Sequence, residues 1–409
     1  MSLAAEKAPN TAIWALGLTQ VVGYGTLFYS FSILAPAMAA EFAVPEYWAF
    51  AALSVALFLG SLCAPTAGRL ADRHGAGKVM TIGSAAAALA LAACALAPER
   101  YSFLAALIAM ELASCFVLYA TAFVAIVQLS TTGAQRSITH LTLIAGFAST
   151  LFWPLTTLLH AHLDWRGVYL VFAGFNLLIC LPVHAWMASM ATRRKRAASV
   201  ETHAAAPADQ PGVQIDPARL RTIFLLMLAG FAATGFVLSS ILIHMVPLLT
   251  GLGLGTAGVL VSTFFGPSQV ASRLINMIFG GRLRQSWLAV IAALFLTGGL
   301  VMLIATAPQV AGIAIFVILF GLGSGLISII GGTLPLEVFG RAAYGAKVGW
   351  MSAARQFTSA FAPFVFALLM AGTSTLTALV MLGLVAVAGV AVFSAIAMLA
   401  RRPSAISAA

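Results

Sequence analysis

Val261-Ser-Thr-Phe-Phe-Gly-Pro-Ser-Gln269-Val-Ala-Ser-Arg273-Leu-Ile-Asn-Met-Ile-Phe279 reads as a membrane-spanning helix with a cation set inside it. A charged side chain within a spanning segment costs roughly 2.5 to 3.5 kcal/mol unless it is paired or faces water. Gln269 lies one turn before Arg273 and shares its face. A second arginine, Arg355, is embedded the same way in a later apolar segment. The rest of the chain has to explain why two cations belong in such an interior.

Composition sets the solvent. Of 409 residues, 62% are hydrophobic and 8% charged, whereas soluble domains carry about 25% charged residues. Apolar runs of spanning length recur from end to end, which predicts an all-α polytopic membrane protein. They fall near 12–39, 47–67, 79–97, 102–128, 137–160 and 167–190, and again near 221–249, 255–279, 287–306, 309–333, 346–371 and 374–400. Between the two sets, 192–219 is polar and rich in Ala and Pro, and opens with Arg193-Arg194-Lys195-Arg196. The expected plan is therefore twelve transmembrane helices in two six-helix bundles, 1–191 and 220–409, joined by a linker at 192–219.

The net charge of +10 does not imply nucleic acid. With the N-terminus inside, Lys7, Arg69, Arg73, Lys78, Arg136, Arg193, Arg194, Lys195, Arg196, Arg219, Arg221, Arg282, Arg284, Arg341, Lys347, Arg401 and Arg402 all fall on the cytoplasmic side. The outer side keeps only Arg100 and Arg166. This asymmetry predicts cytoplasmic N- and C-termini in a bacterial-type inner membrane. No removable signal peptide is expected, because Met1–Asn10 leads straight into a span without a small-residue cleavage pattern. Cys63, Cys94, Cys115 and Cys180 all sit in apolar segments without CxxC spacing and read as small buried hydrophobes.

The two halves read as repeats. Gly68-Arg69-Leu70 is echoed by Gly281-Arg282-Leu283, 213 residues on, and Phe152-Trp153-Pro154 by Phe361-Ala362-Pro363, 209 residues on. Parallel six-helix repeats place a substrate site between the halves near the bilayer midplane.

Gly68-Arg69-Leu70-Ala71-Asp72-Arg73-His74-Gly75 resembles the signature loop of the major facilitator superfamily, and with the six-plus-six plan the resemblance covers the whole chain. It implies secondary active transport by alternating access of a small solute, with protons as coupling ions or with exchange, from a monomer in the bilayer. Gly68 would let the second helix pack closely. Asp72 would sit at a neighbouring helix N-terminus, and Arg69 and Arg73 would latch the cytoplasmic gate. The second-half copy of the loop lacks the acid.

Ile243-His244-Met245-Val246-Pro247-Leu248-Leu249, with Gly251-Leu252-Gly253 and Gly266 through Arg273, resembles monocarboxylate and oxalate/formate carriers. In the former, the eighth-helix arginine binds a carboxylate and an acid one turn earlier couples protons. Gln269 stands at that acid's position here. In the latter, the arginine is paired with an eleventh-helix cation, which Arg355 could supply. Gln20–Tyr29 and Gln135–Thr142 are also similar to bacterial carriers of trivalent arsenic. The expected substrate is a small organic anion of the mono- or dicarboxylate class. The alternative is efflux of a toxic solute such as a drug or trivalent arsenical, for which Cys63, Cys94 and Cys115 could supply soft thiolates.

Residue counting supports the anion. Arg273 lies about six residues, ~9 Å, from the cytoplasmic end of its helix, and Arg355 about nine residues, ~13 Å, from the start of its own. Two guanidiniums at similar depth repel unless an anion lies between them, and each offers a fork to a carboxylate. Glu111 is the only carboxylate well inside a span. Buried without a cation it would be protonated near neutral pH, which suits a proton carrier. His244, in the outward half of helix seven, is a gate or substrate candidate. Gln20 and Tyr24 share a first-helix face at i, i+4 spacing and are cavity candidates, with Asn176 and Tyr119 behind them. His140 and His184 read as packing or interfacial residues. Gly321-Leu322-Gly323-Ser324-Gly325 reads as close helix packing, since no strand precedes it. No HExxH, nucleophile elbow or phosphate loop occurs, so no enzyme, cofactor or metal site is expected.

Overall fold

A backbone in hydrocarbon must satisfy its own N–H and C=O groups, and a helix does so within one segment. The computed structural model describes residues 9–130, 132–201 and 217–400. Lys7, His203, Arg401, Arg402 and linker residues 202–216 lie outside them. Among the described residues the apolar runs form helices and no strand occurs.

The helices are α1 Asn10–Glu41, α2 Glu46–His74, α3 Ala76–Leu96, α4 Arg100–Leu129, α5 Ala134–His160 and α6 Trp165–Arg193. They continue with α7 Pro217–Leu249, α8 in two pieces (Gly255–Ser262 and Phe265–Phe279), α9 Gln285–Thr306, α10 Val310–Phe339, α11 Tyr344–Gly372 and α12 Thr375–Leu399. Eleven helices among the described residues are long and apolar enough to cross a membrane. The twelfth expected span is α8, which a turn at Thr263-Phe264 divides into pieces of 8 and 15 residues.

By packing, the chain divides into two units, Met1–Val200 with Ala343–Ala360, and Glu201–Ala342 with Phe361–Ala409. The start of α11 thus packs with the first unit. The first unit's core holds Phe31, Phe103, Trp165, Tyr169 and Phe172. Trp165 stands edge-on to Phe103 at 5.5 Å between ring centroids. Beside it, Arg166 pairs with Glu41 at 2.8 Å, donates to the Ala95 carbonyl at 2.6 Å and lies over the Trp165 ring. Glu41 also accepts from the Trp165 indole N–H.

A repeated cap ties each unit together. The Ala76 N–H at the start of α3 donates to Gln128 Oε1 at 2.9 Å, and Gln128 Nε2 donates to the Ala71 carbonyl at 2.9 Å. In the second unit Glu337, at the end of α10, accepts from the Gln285 and Ser286 amides that open α9, the latter at 3.3 Å. Ala76 to Gln285 and Gln128 to Glu337 are both 209 residues, the same offset as Pro154 to Pro363. Orphan amides at a helix start are thus satisfied by a side chain from the same repeat position in both halves.

Candidate functional site

The site in the first unit is built on a broken helix. At Leu118, where ψ is −170°, α4 stops and restarts at Tyr119. The carbonyls freed by the break are taken up by side chains. Thr121 Oγ1 donates to the Cys115 carbonyl at 2.9 Å, and Gln20 Nε2 donates to the Val117 carbonyl at 2.8 Å across 97 residues of sequence. Gln20 is fully buried, so its amide N–H is committed to holding α4 open, while its Oε1 has no hydrogen-bond partner. The break aims Tyr119 at α1, where its ring lies 4.7 Å from that of Tyr24 and stacks on Phe123 at 5.2 Å. Tyr24 lies 6.4 Å from Tyr29, which meets Trp153 of α5 at 6.1 Å. Tyr24 ends the first stretch of α1, and a π-turn at Gly25–Tyr29 follows it. A second π-turn, Asn176–Cys180 in α6, is tied to the first by Asn176 Nδ2 donating to Thr26 Oγ1 at 2.9 Å.

Arg355 completes this group. It is half-buried on the part of α11 that packs with the first unit, within electrostatic reach of Tyr24. No carboxylate pairs with it among the described residues.

Arg273 lies in the second unit and is 5% exposed, so its guanidinium is held inside rather than extended to a surface. Its neighbour Gln269 donates to Ser324 Oγ of α10 at 2.7 Å. The glycines of 321–325 permit this. A Cβ at Gly325 would meet the Gln269 carbonyl at 2.4 Å, and one at Gly321 the Phe265 carbonyl at 2.7 Å. His244 donates from Nδ1 to the Ser240 carbonyl at 3.0 Å, and its ring lies edge-on to Phe366 at 5.4 Å.

In the signature loop the carboxylate makes the contact with α11. Asp72 Oδ1 accepts the Gly345 amide and Oδ2 the Ala346 amide, each at 2.8 Å, so one carboxylate caps the N-terminus of α11. Behind it α2 and α11 touch backbone to backbone: a Cβ on Gly68 would stand 2.0 Å from the Gly345 carbonyl oxygen, and one on Gly349 2.5 Å from that of Ala64. Arg69 donates to Thr66 of its own helix at 2.9 Å, and Arg73 is exposed with no ion pair among the described residues. The carboxylate and the bare backbones, rather than the arginines, make the contact.

Glu111 is 4% exposed on α4. Ser114 Oγ donates to the Glu111 carbonyl at 2.7 Å and lies 3.3 Å from Oε2, while Oε1 has no hydrogen-bond partner. His184 is a satisfied core histidine: Ser84 Oγ lies 2.7 Å from Nδ1 and Thr19 Oγ1 3.0 Å from Nε2. Cys63 packs against Cys115, whereas Cys94 belongs to another cluster. Among the described residues no three His, Cys, Asp or Glu side chains are placed to hold a metal.

Membrane-length helices in two repeats, broken where polar side chains gather and carrying embedded arginines, define a polytopic solute transporter rather than an enzyme. The chain belongs to the major facilitator superfamily, whose family model matches residues 16–363. No curated protein matches it in sequence. Among solved structures it is similar to the human organic anion transporter MFSD10 (TETRAN), with 15% identity, a TM-score of 0.67, and 94% of this chain and 98% of that one covered. It is similar also to the proton:xylose symporter XylE bound to 6-bromo-6-deoxy-D-glucose, with 14% identity, a TM-score of 0.70, and 93% and 95% covered. At these identities the likeness concerns the fold.

Proposed function

We propose that this transporter moves a small organic anion of the mono- or dicarboxylate class by alternating access, coupled to protons. The observation that carries this reading is Arg355 within electrostatic reach of Tyr24, whose ring meets Tyr119 at the α4 break: a half-buried fork without a carboxylate partner among the described residues. A guanidinium pairs bidentately with a carboxylate, and the Tyr24 hydroxyl adds a donor. In the second unit, considered by itself, Arg273 with Gln269 beside it, and His244 on α7, are the residues this reading assigns to the solute. Gln20 supports the site from beneath by fixing the break. One structural neighbour is described as an organic anion transporter and another as a proton symporter, so the scaffold suits both parts of the reading.

Glu111 carries the proton in this account, since among the described residues no cation neutralises it and its carboxyl is shielded from solvent. In this reading the Asp72 cap lies at the cytoplasmic face of a bacterial-type inner membrane, as the positive-inside charge asymmetry suggests. The protein acts as a monomer. Efflux of a drug or trivalent arsenical is the competing reading, and the Cys63–Cys115 pair is the feature that favours it.

A thermal-shift screen of purified protein against mono- and dicarboxylates, arsenite and a few drugs separates these. Carboxylates are expected to stabilise the wild type and not Arg355→Gln. Stabilisation by neutral compounds alone, equal in both proteins, would overturn the anion reading.

A further inference from the structure

Tyr24 and Tyr29 are five residues apart, so a regular α-helix would turn them about 140° away from each other. The π-turn of α1 cancels this. The Gly25 carbonyl accepts the Ser30 N–H at 3.1 Å, an i→i+5 bond that takes one extra residue into the turn. Tyr29 therefore comes round to the Tyr24 side, with the two rings 6.4 Å apart. Two neighbouring helices hold the turn. On α6, Asn176 Nδ2 donates to Thr26 Oγ1 and to the Phe172 carbonyl, each at 2.9 Å, and both Asn176 and Thr26 are buried. On α5, a Cβ on Gly25 would stand 2.1 Å from Phe152 Cγ, so the two helices close up at that level. The next residue of α5, Trp153, consequently reaches Tyr29 edge-on at 6.1 Å.

Trp153 is 50% exposed, and with Ser149, Thr150 and Thr157 it lines a cavity of about 690 Å³ along α5. Ser149, Trp153 and Thr157 stand at i, i+4 and i+8, on one helix face. Tyr119, Tyr24, Tyr29 and Trp153 thus form an unbroken row of rings from the α4 break to this cavity. A bare carboxylate at Arg355 and the Tyr24 hydroxyl would use only the start of that row. The remainder offers ring faces and edges, which bind another ring in offset or edge-on contact. We infer that Tyr29 and Trp153 form a second subsite, which takes the ring of an aromatic carboxylate whose carboxyl group is held at Tyr24. The substrate class narrows accordingly, from small carboxylates at large to arylcarboxylates. Thr26 and Asn176 are positioning residues: they touch no solute and keep Tyr29 on the Tyr24 side. The inference rests on the anion reading of the Tyr24 site.

The test is equilibrium binding of benzoate and acetate to the purified full chain, since these probes share a carboxylate and differ by the ring. Wild type is expected to bind benzoate roughly 3- to 10-fold more tightly than acetate. That ratio should fall toward one in Tyr29→Leu and in Trp153→Leu. Thr26→Val keeps the shape of the side chain, removes the acceptor for Asn176, and should lower the ratio too, which packing alone would not do. A ratio of one in wild type overturns the subsite and leaves the anion reading standing. Binding of neither probe overturns the anion reading, and the subsite with it. A ratio that survives in either Leu variant removes that ring from the subsite, and one that survives Thr26→Val overturns the role of the π-turn.

Discussion

Asp72 Oδ1 accepts the backbone N–H of Gly345 at 2.8 Å, and its second oxygen takes the next amide of α11. A carboxylate at a helix N-terminus gains from both hydrogen bonds and dipole. Asp72→Asn keeps the shape but loses the charge, and Asp72→Ala loses the cap, at about 1 kcal/mol. Each should open the α2–α11 contact more often, with Ala the stronger. Alkylation of a cysteine introduced at Ala346 measures this, and should speed up in the order wild type, Asn, Ala.

The backbone contact behind the cap predicts a harsher effect. A Cβ at Gly68 meets the Gly345 carbonyl at 2.0 Å, and neither backbone can yield as a flexible side chain would. Gly68→Ala should therefore force α2 and α11 apart and expose the same introduced cysteine more than Asp72→Ala does. Equal alkylation rates in the two variants would show that the glycine contact contributes little.

The repeated caps differ in charge, which ranks them. Glu337 brings an ionised carboxylate to two amides of α9, with Arg284 at 3.8 Å, whereas Gln128 brings a neutral amide to α3. Hydrogen bonds to charged groups contribute about 1.5–3 kcal/mol against about 1 for neutral ones. Glu337→Ala should accordingly lower the melting temperature in detergent more than Gln128→Ala. The reverse order would contradict the cap assignment.

The α4 break depends on its side-chain partners. Gln20→Leu strands the Val117 carbonyl, and Thr121→Val strands that of Cys115. An unsatisfied backbone group inside a membrane bundle costs about 1–3 kcal/mol or more. Both variants should melt earlier, and Gln20→Leu should also weaken carboxylate binding by releasing Tyr119 from Tyr24. A melting temperature unchanged in both would remove the support assigned to these residues.

The contrast between α2 and α4 shows what the sequence could carry. Span lengths, the repeat offset and the carboxylate at a helix start follow from hydropathy and a local motif, because the forces behind them act over a few turns. The break at Leu118 has no such signal. Ser114-Cys-Phe-Val-Leu-Tyr-Ala-Thr121 contains neither Gly nor Pro, and what stabilises the non-helical turn is Gln20, far away in sequence. For the same reason the sequence does not reveal that the buried Gln20 amide holds the turn behind Tyr119. Neither the Gln128 nor the Glu337 cap stood out, though their 209-residue spacing lay in the sequence.

Equilibrium binding of the best-stabilising carboxylate to wild type, Arg355→Lys and Arg355→Gln tests the central claim most directly. The account predicts graded loss: Lys keeps the charge without the fork and binds more weakly. Gln loses the charge-assisted bonds, worth about 1.5–3 kcal/mol, and binds roughly 10- to 150-fold more weakly. Equal affinity in all three proteins would contradict it, because Arg355 would then hold no anion.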